Sequence, residues 1–366
     1  MRIKEKKLAI PNLGNYTIAL DSAVRSLGIE PWSSTKTPAH ALRLGIAAAP
    51  ESLCLPFKAH LGHFIEADDA GCGHALMVNS LGTCRLSYYR MLMENILKGM
   101  GRNIKIWGLG FDGIKPPVIR YFDPPLFPFI HAVFLALEKI RVIDTIEIAA
   151  WKARPLEACR GDVTKLTEDC FAGLAAAGTI RAVKALKEKY AGLYKKIPRK
   201  NTGGVQPLKV GLIGEISLLR DRTLNQNVEI MLGELGVEVR NFFLLGAELG
   251  NIFGWGTVGQ RAFTRKELAK IARPYLSNPV GGHALDSVAH TLRCADEGFA
   301  GMVHLLPAGC MPEVSVRPIL AQISQEKNIP VLELSFDEHS ASAGLATRIE
   351  AFVDMLNDSK KRRRLA

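Results

Sequence analysis

The 366 residues contain no C-x-x-C pair and no G-x-x-x-x-G-K-[ST] loop. The first absence removes the local thiol pairing typical of structural zinc sites and of ferredoxin cluster runs. The second leaves ATP chemistry in this chain without a phosphate cradle. Long apolar runs are missing too. The longest, Pro124 to Leu137, is broken by His131 and closed by Glu138 and Lys139, short of the roughly 20 apolar residues of a spanning helix. The opening MRIKEKKLAIPNLG has no apolar signal-peptide core, so the expectation is a cytoplasmic protein without a membrane segment. No internal repeat of fixed period is seen.

What is present is a soluble, globular balance of 48% hydrophobic and 23% charged residues, with length enough for two domains. Seven cysteines, an odd number, point to thiols and metal rather than a disulfide framework. The net charge of +11 invites a nucleic-acid reading. Its excess, however, lies mainly in KEKYAGLYKKIPRK, before a Gly-Gly break, and in KKRRR near the carboxyl end. Neither run accompanies a nucleic-acid motif, so nucleic acid is not the expected partner. Acidic partners such as flavodoxin-like or ferredoxin-like carriers, or a CoA phosphate, suit a basic surface equally well.

Short apolar runs alternate with helical periodicity, which predicts an α/β fold of two doubly wound parallel-sheet domains facing a cleft, with a helical segment between them. Strands are expected at Lys7 to Ile10, Leu44 to Ala48, Ala75 to Val78 and Ile104 to Trp107. The first helix is expected at Tyr16 to Leu27. The signal is helical from Phe127 to Lys196, and PRKNTGGVQP, Pro198 to Pro207, is the best boundary. Expected boundaries are 1–125, 126–200 for the helical segment and linker, 207–358 for the second α/β domain, and 359–366 for a basic tail. In the second domain, strands are expected at Lys209 to Ile213, Val237 to Phe243, Gly301 to Leu306 and Val331 to Leu334. Its helices are expected at Leu224 to Leu235, Leu285 to Glu297, Val314 to Ile323 and Ser342 to Leu356.

Three cysteines share one local setting. Cys54, Cys84 and Cys310 each follow an apparent strand and precede an apparent helix. Thiols at the carboxyl ends of strands in an open α/β sheet converge on the crevice where such sheets bind ligands. A helix amino terminus there favours thiolate over thiol. Three ordinary buried cysteines are the plain alternative. Cys159, Cys170 and Cys294 lie in helix-like segments and read as packing. Cys72, in GCGH, is either packing or a fourth ligand. Gly108, Gly110 and Gly113, and again Gly254, Gly256 and Gly259, imitate a dinucleotide loop without its strand-to-helix context.

The stretches ESLCLPFK, GTCRLSYY, GEI, GCMPE and DEHSASAGLATRIEAFVDML together resemble the 2-hydroxyacyl-CoA dehydratase and benzoyl-CoA reductase superfamily, and especially its CoA-activase-related and double-cubane-cluster branch. The resemblance implies that Cys54, Cys84 and Cys310 hold an iron-sulfur cluster. A 4Fe-4S cluster comes first, and an 8Fe-9S double cubane, which takes more thiolates, is the larger alternative. It further implies anaerobic, low-potential one-electron reductase or dehydratase chemistry. The electron would come from a separate ATP-hydrolysing activator fed by ferredoxin or flavodoxin, with a sister subunit or a homodimer as the working assembly. Glu51 and His339 are the candidate catalytic proton-transfer residues. Lys58, Arg85, Glu215 and Glu313 lie in or beside the same motifs, as caps and ion pairs or as groups that support the cluster. A non-catalytic, cluster-bearing electron carrier or partner subunit needs the same cysteines and remains the alternative function.

Overall fold

A computed structural model describes residues 7–78, 84–109, 121–253, 263–340 and 342–365. Two four-stranded, wholly parallel sheets organise it. The first consists of β1 (Lys7–Ala9), β2 (Glu30–Trp32), β3 (His74–Val78) and β4 (Lys105–Leu109), in the order β2-β1-β3-β4. The second consists of β5 (Leu208–Gly214), β6 (Val237–Asn241), β7 (Gly301–Pro307) and β8 (Val331–Phe336), in the order β6-β5-β7-β8. The two orders are the same relative to chain direction. Each sheet therefore reverses its winding between its first and third strands, β1 against β3 and β5 against β7. That is where open α/β sheets leave a crevice at the carboxyl ends of their strands.

Parallel sheets are covered on both faces, so their central strands read as continuous apolar runs. GMVHLLP of β7 is buried at every position. The edge strand β2 is Glu-Pro-Trp and largely exposed, and Pro31 is tolerated there because an edge residue need not donate to the ladder. Such a short strand has no alternation to reveal it in the sequence.

Helices α1 (Thr17–Ser26), α2 (Ala39–Ala48), α3 (Leu55–Asp69) and α4 (Leu86–Gly99) belong to the first sheet. Leu44 to Ala48, expected as a strand, is the last turn and a half of α2. A five-residue apolar run cannot distinguish the two states by period, and Pro38 at the N-cap of a run rich in Ala and Leu decides for helix. Helices α2 and α3 cross backbone to backbone. A Cβ on Gly45 would lie 1.7 Å from the Lys58 carbonyl oxygen, and one on Gly62 would lie 1.7 Å from that of Ala41.

A helical layer follows: α5 (Leu126–Ala153), a 3-10 turn (Arg154–Leu156), α6 (Asp162–Ala176) and α7 (Ile180–Lys196). Its core joins Leu135, Ile143 and Ile146 of α5 to Ile18 and Ala19 of α1. No described helix is long and apolar enough to cross a membrane. Helices α8 (Ile216–Arg220), α9 (Val228–Glu234), α10 (Leu245–Phe253), α11 (Arg265–Ala272), α12 (Ala284–Asp296), α13 (Met311–Glu326) and α14 (Ser342–Leu365) surround the second sheet. The helix expected from Leu224 begins only at Val228, because Gln226 and Asn227 have φ of 55° and 62° and interrupt it. Helix α10 has no counterpart among the expected helices, and α11 is the helix-like segment that follows Gly259 in the sequence. The last helix does not stop at Leu356 but carries the basic run through Leu365. Gly110, Gly113, Gly254, Gly256, Gly259 and the loop 81–83 lie outside the described residues.

Buried polar contacts tie the parts together. Asn12 Nδ2 donates to Asp221 Oδ2 at 2.7 Å, and Thr37 Oγ1 donates to the same oxygen at 2.5 Å. Arg222 Nη2 lies 2.7 Å from Glu147 of α5 and 2.5 Å from Glu229 of α9.

Candidate metal centre

Cys54 and Cys84, 30 residues apart, and Cys310, more than 200 residues further on, line a single cavity. Each reaches it from a different element. Cys54 is the N-cap of α3, its carbonyl accepting from Phe57 and Lys58 N–H groups. It arrives through the α2–α3 crossing rather than directly from a strand. Cys84 precedes α4, and its carbonyl accepts from the Ser87 N–H. Cys310 is the N-cap of α13, three residues beyond β7, with Pro312 in the first turn. Proline fits there because no intrahelical donor is needed, so the helix can start sharply at the thiol. Pro318 sits inside α13.

Two glycines allow the seams to close. A Cβ on Gly309 would stand 3.3 Å from the Ser52 carbonyl oxygen and 3.4 Å from the Cys54 nitrogen, which marks where the Cys310 and Cys54 loops touch. Gly282 has φ 51°, and a Cβ there would meet Pro312 at 3.0 Å and the Cys84 Sγ at 3.9 Å. Residues on either side of the rest of the cavity include Tyr89 of α4 and, from the second sheet's elements, Glu215, His283 and Glu313.

Burial dominates the electrostatics. It pushes the Cys54 thiol up to about 11, against a hydrogen bond from the Tyr89 hydroxyl at 2.6 Å that favours the thiolate. It raises Cys310 further still, with the Glu215 carboxylate adding to the effect. The expectation that helix amino termini would favour thiolates is therefore overturned for these two residues. Desolvation opposes the charged form more strongly than one helix end supports it. A bound cation reverses this, because metal coordination deprotonates a thiol outright. Burial also raises Glu215, against hydrogen bonds from the Ser217 and Leu218 backbone N–H groups. It lowers His283 to about 3, helped by the Arg265 and Arg220 charges.

Among the described residues no three His, Cys, Asp or Glu side chains converge on a point that could hold a single ion. An iron-sulfur cluster makes a different demand, one thiolate per corner. Three thiols spaced around one cavity, with Gly282 and Gly309 at its seams, fit that demand.

The other sequence candidates are distributed otherwise. Glu51 is exposed, and its backbone carbonyl accepts from Lys58 Nζ at 3.3 Å. His339 is exposed on the turn before α14, its N–H donating to Asp337. Neither lines the cavity. Lys58 is buried in an ion pair with Glu338 at 2.7 Å. Arg85 does line the cavity. Cys72 is buried in the first sheet's core beyond the far end of α3. At about 1.5 Å of rise per residue that helix separates it from Cys54 by roughly 20 Å or more, so the fourth-ligand alternative does not hold. Cys170 and Cys294 are buried packing residues, as expected, whereas Cys159 is exposed in a bend rather than packed in a helix.

Sequence reasoning missed Tyr89 as a thiol partner and missed a buried triad behind the cavity. Ser287 Oγ donates to Glu313 Oε2 at 2.9 Å, and His304 Nε2 lies 2.9 Å from the same oxygen. A signal existed. His304 interrupts the otherwise apolar strand GMVHLLP, and a fully buried imidazole requires a partner.

A family model described as 2-hydroxyglutaryl-CoA dehydratase, D-component, matches residues 176–356. No curated protein matches the chain. The matched span holds the whole second sheet and, at the cavity, Glu215, His283, Cys310 and Glu313; Cys54 and Cys84 lie outside it. The similarity of residues 176–356 to this family supports a place for the chain in the 2-hydroxyacyl-CoA dehydratase superfamily.

Proposed function

We propose that this dehydratase-like component holds a 4Fe-4S cluster through Cys54, Cys84 and Cys310 and uses it for low-potential one-electron reductive or dehydratase chemistry. The observation that carries the reading is the meeting of three thiols, two from the first sheet's helices and one from the second sheet's switch point, around one cavity. Among the described residues three cysteines line it, which favours a single cubane over the 8Fe-9S double cubane. When bound, such a cluster supplies one-electron redox chemistry and a Lewis-acidic iron wherever no thiolate caps it.

The chain's own residues prepare the site in three ways. The Tyr89 hydroxyl, 2.6 Å from Cys54 Sγ, donates to that sulfur once it is a thiolate and stabilises the added negative charge of reduction. Pro56, Leu86, Ile216 and Met311 give the cavity apolar walls that keep water from the thiolates. Arg85, also on the cavity, is placed to attract an anionic substrate or carrier. Glu215 spends both carboxylate oxygens capping α8 and so fixes the loop after β5.

The electron comes from a separate ATP-hydrolysing activator served by ferredoxin or flavodoxin, since no phosphate loop is present in this sequence. The working assembly includes a second chain, either a sister component or another copy. The test is electron-paramagnetic resonance of anaerobically loaded protein mixed with reduced carrier, with and without activator and ATP. A cluster signal should appear only with both, and should shift when an acyl-CoA substrate is added. Equal reduction by carrier alone would remove the activator from the account. A signal indifferent to every acyl-CoA would favour the electron-carrier role.

A further inference from the structure

Two carboxylates line the cavity, Glu313 buried and Glu215 half-buried, and they are not equivalent. Glu215 accepts from Ser217 Oγ through Oε1 and from two backbone N–H groups through Oε2. Glu313 is 1% exposed, and its Oε2 takes both Ser287 Oγ and His304 Nε2. Its Oε1 has no hydrogen-bond partner among the described residues. A buried carboxylate oxygen left unpaired is costly, and on a residue that lines a ligand cavity it calls for a ligand.

Position points the same way. Cys310 caps α13 and Glu313 is three residues on, in its first turn. Residues i and i+3 share a helix face, so the thiol and the carboxylate enter the cavity side by side. The Ser287 and His304 contacts hold the carboxylate by one oxygen and leave the other directed away from them. Carboxylate oxygen is a competent iron ligand, and its exchange with an incoming oxygen ligand is easier than that of a thiolate.

We infer that Glu313 Oε1 caps the cluster corner that the three thiolates leave uncovered, making the centre a Cys3Glu site whose fourth ligand is displaceable. The inference rests on the cluster assignment of the preceding subsection. The carboxylate holds the resting fourth iron and yields it to a stronger ligand, with Ser287 and His304 retaining the displaced side chain in place.

The experiment uses the full chain, loaded anaerobically with 57Fe, in wild-type, Glu313→Gln and Glu313→Asp forms. Wild type should show one iron in four with an oxygen-type Mössbauer signature. Glu313→Gln should keep its iron and sulfide but change that one subsite. Cyanide should then bind the variant at least about tenfold more tightly than the wild type, because no anionic ligand has to leave. Glu313→Asp, which keeps the charge but shortens the reach, should also perturb the unique iron. Should Glu313→Gln not fold, that wild-type and Asp comparison decides the matter. Identical subsite spectra and cyanide affinities in all folded forms would overturn the inference while leaving the three-thiolate cluster intact. So would complete loss of iron from folded Glu313→Gln, because three thiolates should hold a cluster without it. Absence of any cluster from wild type would instead defeat the assignment on which it rests.

Discussion

The two sheets of this protein share one strand order and differ in almost everything else. The second is deep, with strands of seven, five, seven and six residues. Its Cys310 stands on the short loop that follows the fully buried β7. The first is shallow, with two strands of only three residues, and delivers Cys54 through a crossing of helices rather than from a strand end. The family match follows the same division, covering the deep sheet and leaving the shallow one outside. Topology thus determines where the thiols meet, at the carboxyl ends near a switch point, while the local route by which each arrives differs between the halves. A centre built this way depends on both halves and on what joins them.

The comparison breaks most severely at the joint. Arg222 stands between the Glu147 and Glu229 carboxylates, all three side chains largely buried. Replacing Arg222 with Met removes the cation paired with both carboxylates and leaves them the Arg154 charge alone, which should cost about 3–5 kcal/mol. Urea unfolding should show the loss as an earlier midpoint. If the two halves were independent, the variant would instead unfold in two transitions with the second sheet's unchanged.

Most of the second half was legible in the sequence, and for a physical reason. Fully buried parallel strands such as Lys209 to Ile213 and Gly301 to Leu306 are apolar runs bounded by turn residues, and the structure extends each by only a residue or two. Leu44 to Ala48 misled because a buried helical turn has the same composition. β2 could not be seen because three exposed residues have no period. At the site, sequence pattern selected the three cysteines that line the cavity, since loops at helix starts are locally encoded. It could not separate Glu51 from Glu215 and Glu313, the two carboxylates that line the cavity, because that depends on which side of a loop faces inward.

A matched pair of glycines sharpens the contrast. Gly62→Ala in α3 puts a Cβ against the Ala41 carbonyl, backbone against backbone, and should cost about 3 kcal/mol. Gly211→Ala in β5 meets the flexible Met302 side-chain end at 2.6 Å and should cost about 1 kcal/mol, since that side chain can shift. Because α3 carries Cys54, the first variant should also lose iron at temperatures where the second retains it. Equal midpoints for the two would contradict the tight crossing in the first half.

A smaller effect reports on the contact between the helical layer and the second half. Burial pushes Asp144 up to about 7, although it accepts from the Tyr16 hydroxyl at 2.6 Å and from the Ala247 N–H. The folded state therefore binds this proton more tightly than the unfolded chain, whose aspartate titrates near about 3.9. Stability from this group is fully present below about pH 4, falls as pH rises toward 7, and is level above that. Between pH 5 and 7 the loss should amount to about 2 kcal/mol. Asp144→Asn should flatten this part of the melting temperature profile, and an unchanged slope would place the titration elsewhere.

The central claim is that thiols from both halves build one centre, and iron and acid-labile sulfide counts on anaerobically loaded single variants test it most directly. Cys54→Ala and Cys84→Ala from the first half, and Cys310→Ala from the second, should each lose most of the iron and sulfide that wild type holds. Cys72→Ala and Cys159→Ala should keep it, because Cys72 lies beyond the far end of α3 and Cys159 is exposed in a bend away from the cavity. Full retention of iron in the Cys310 variant, or in both first-half variants, would contradict the shared centre.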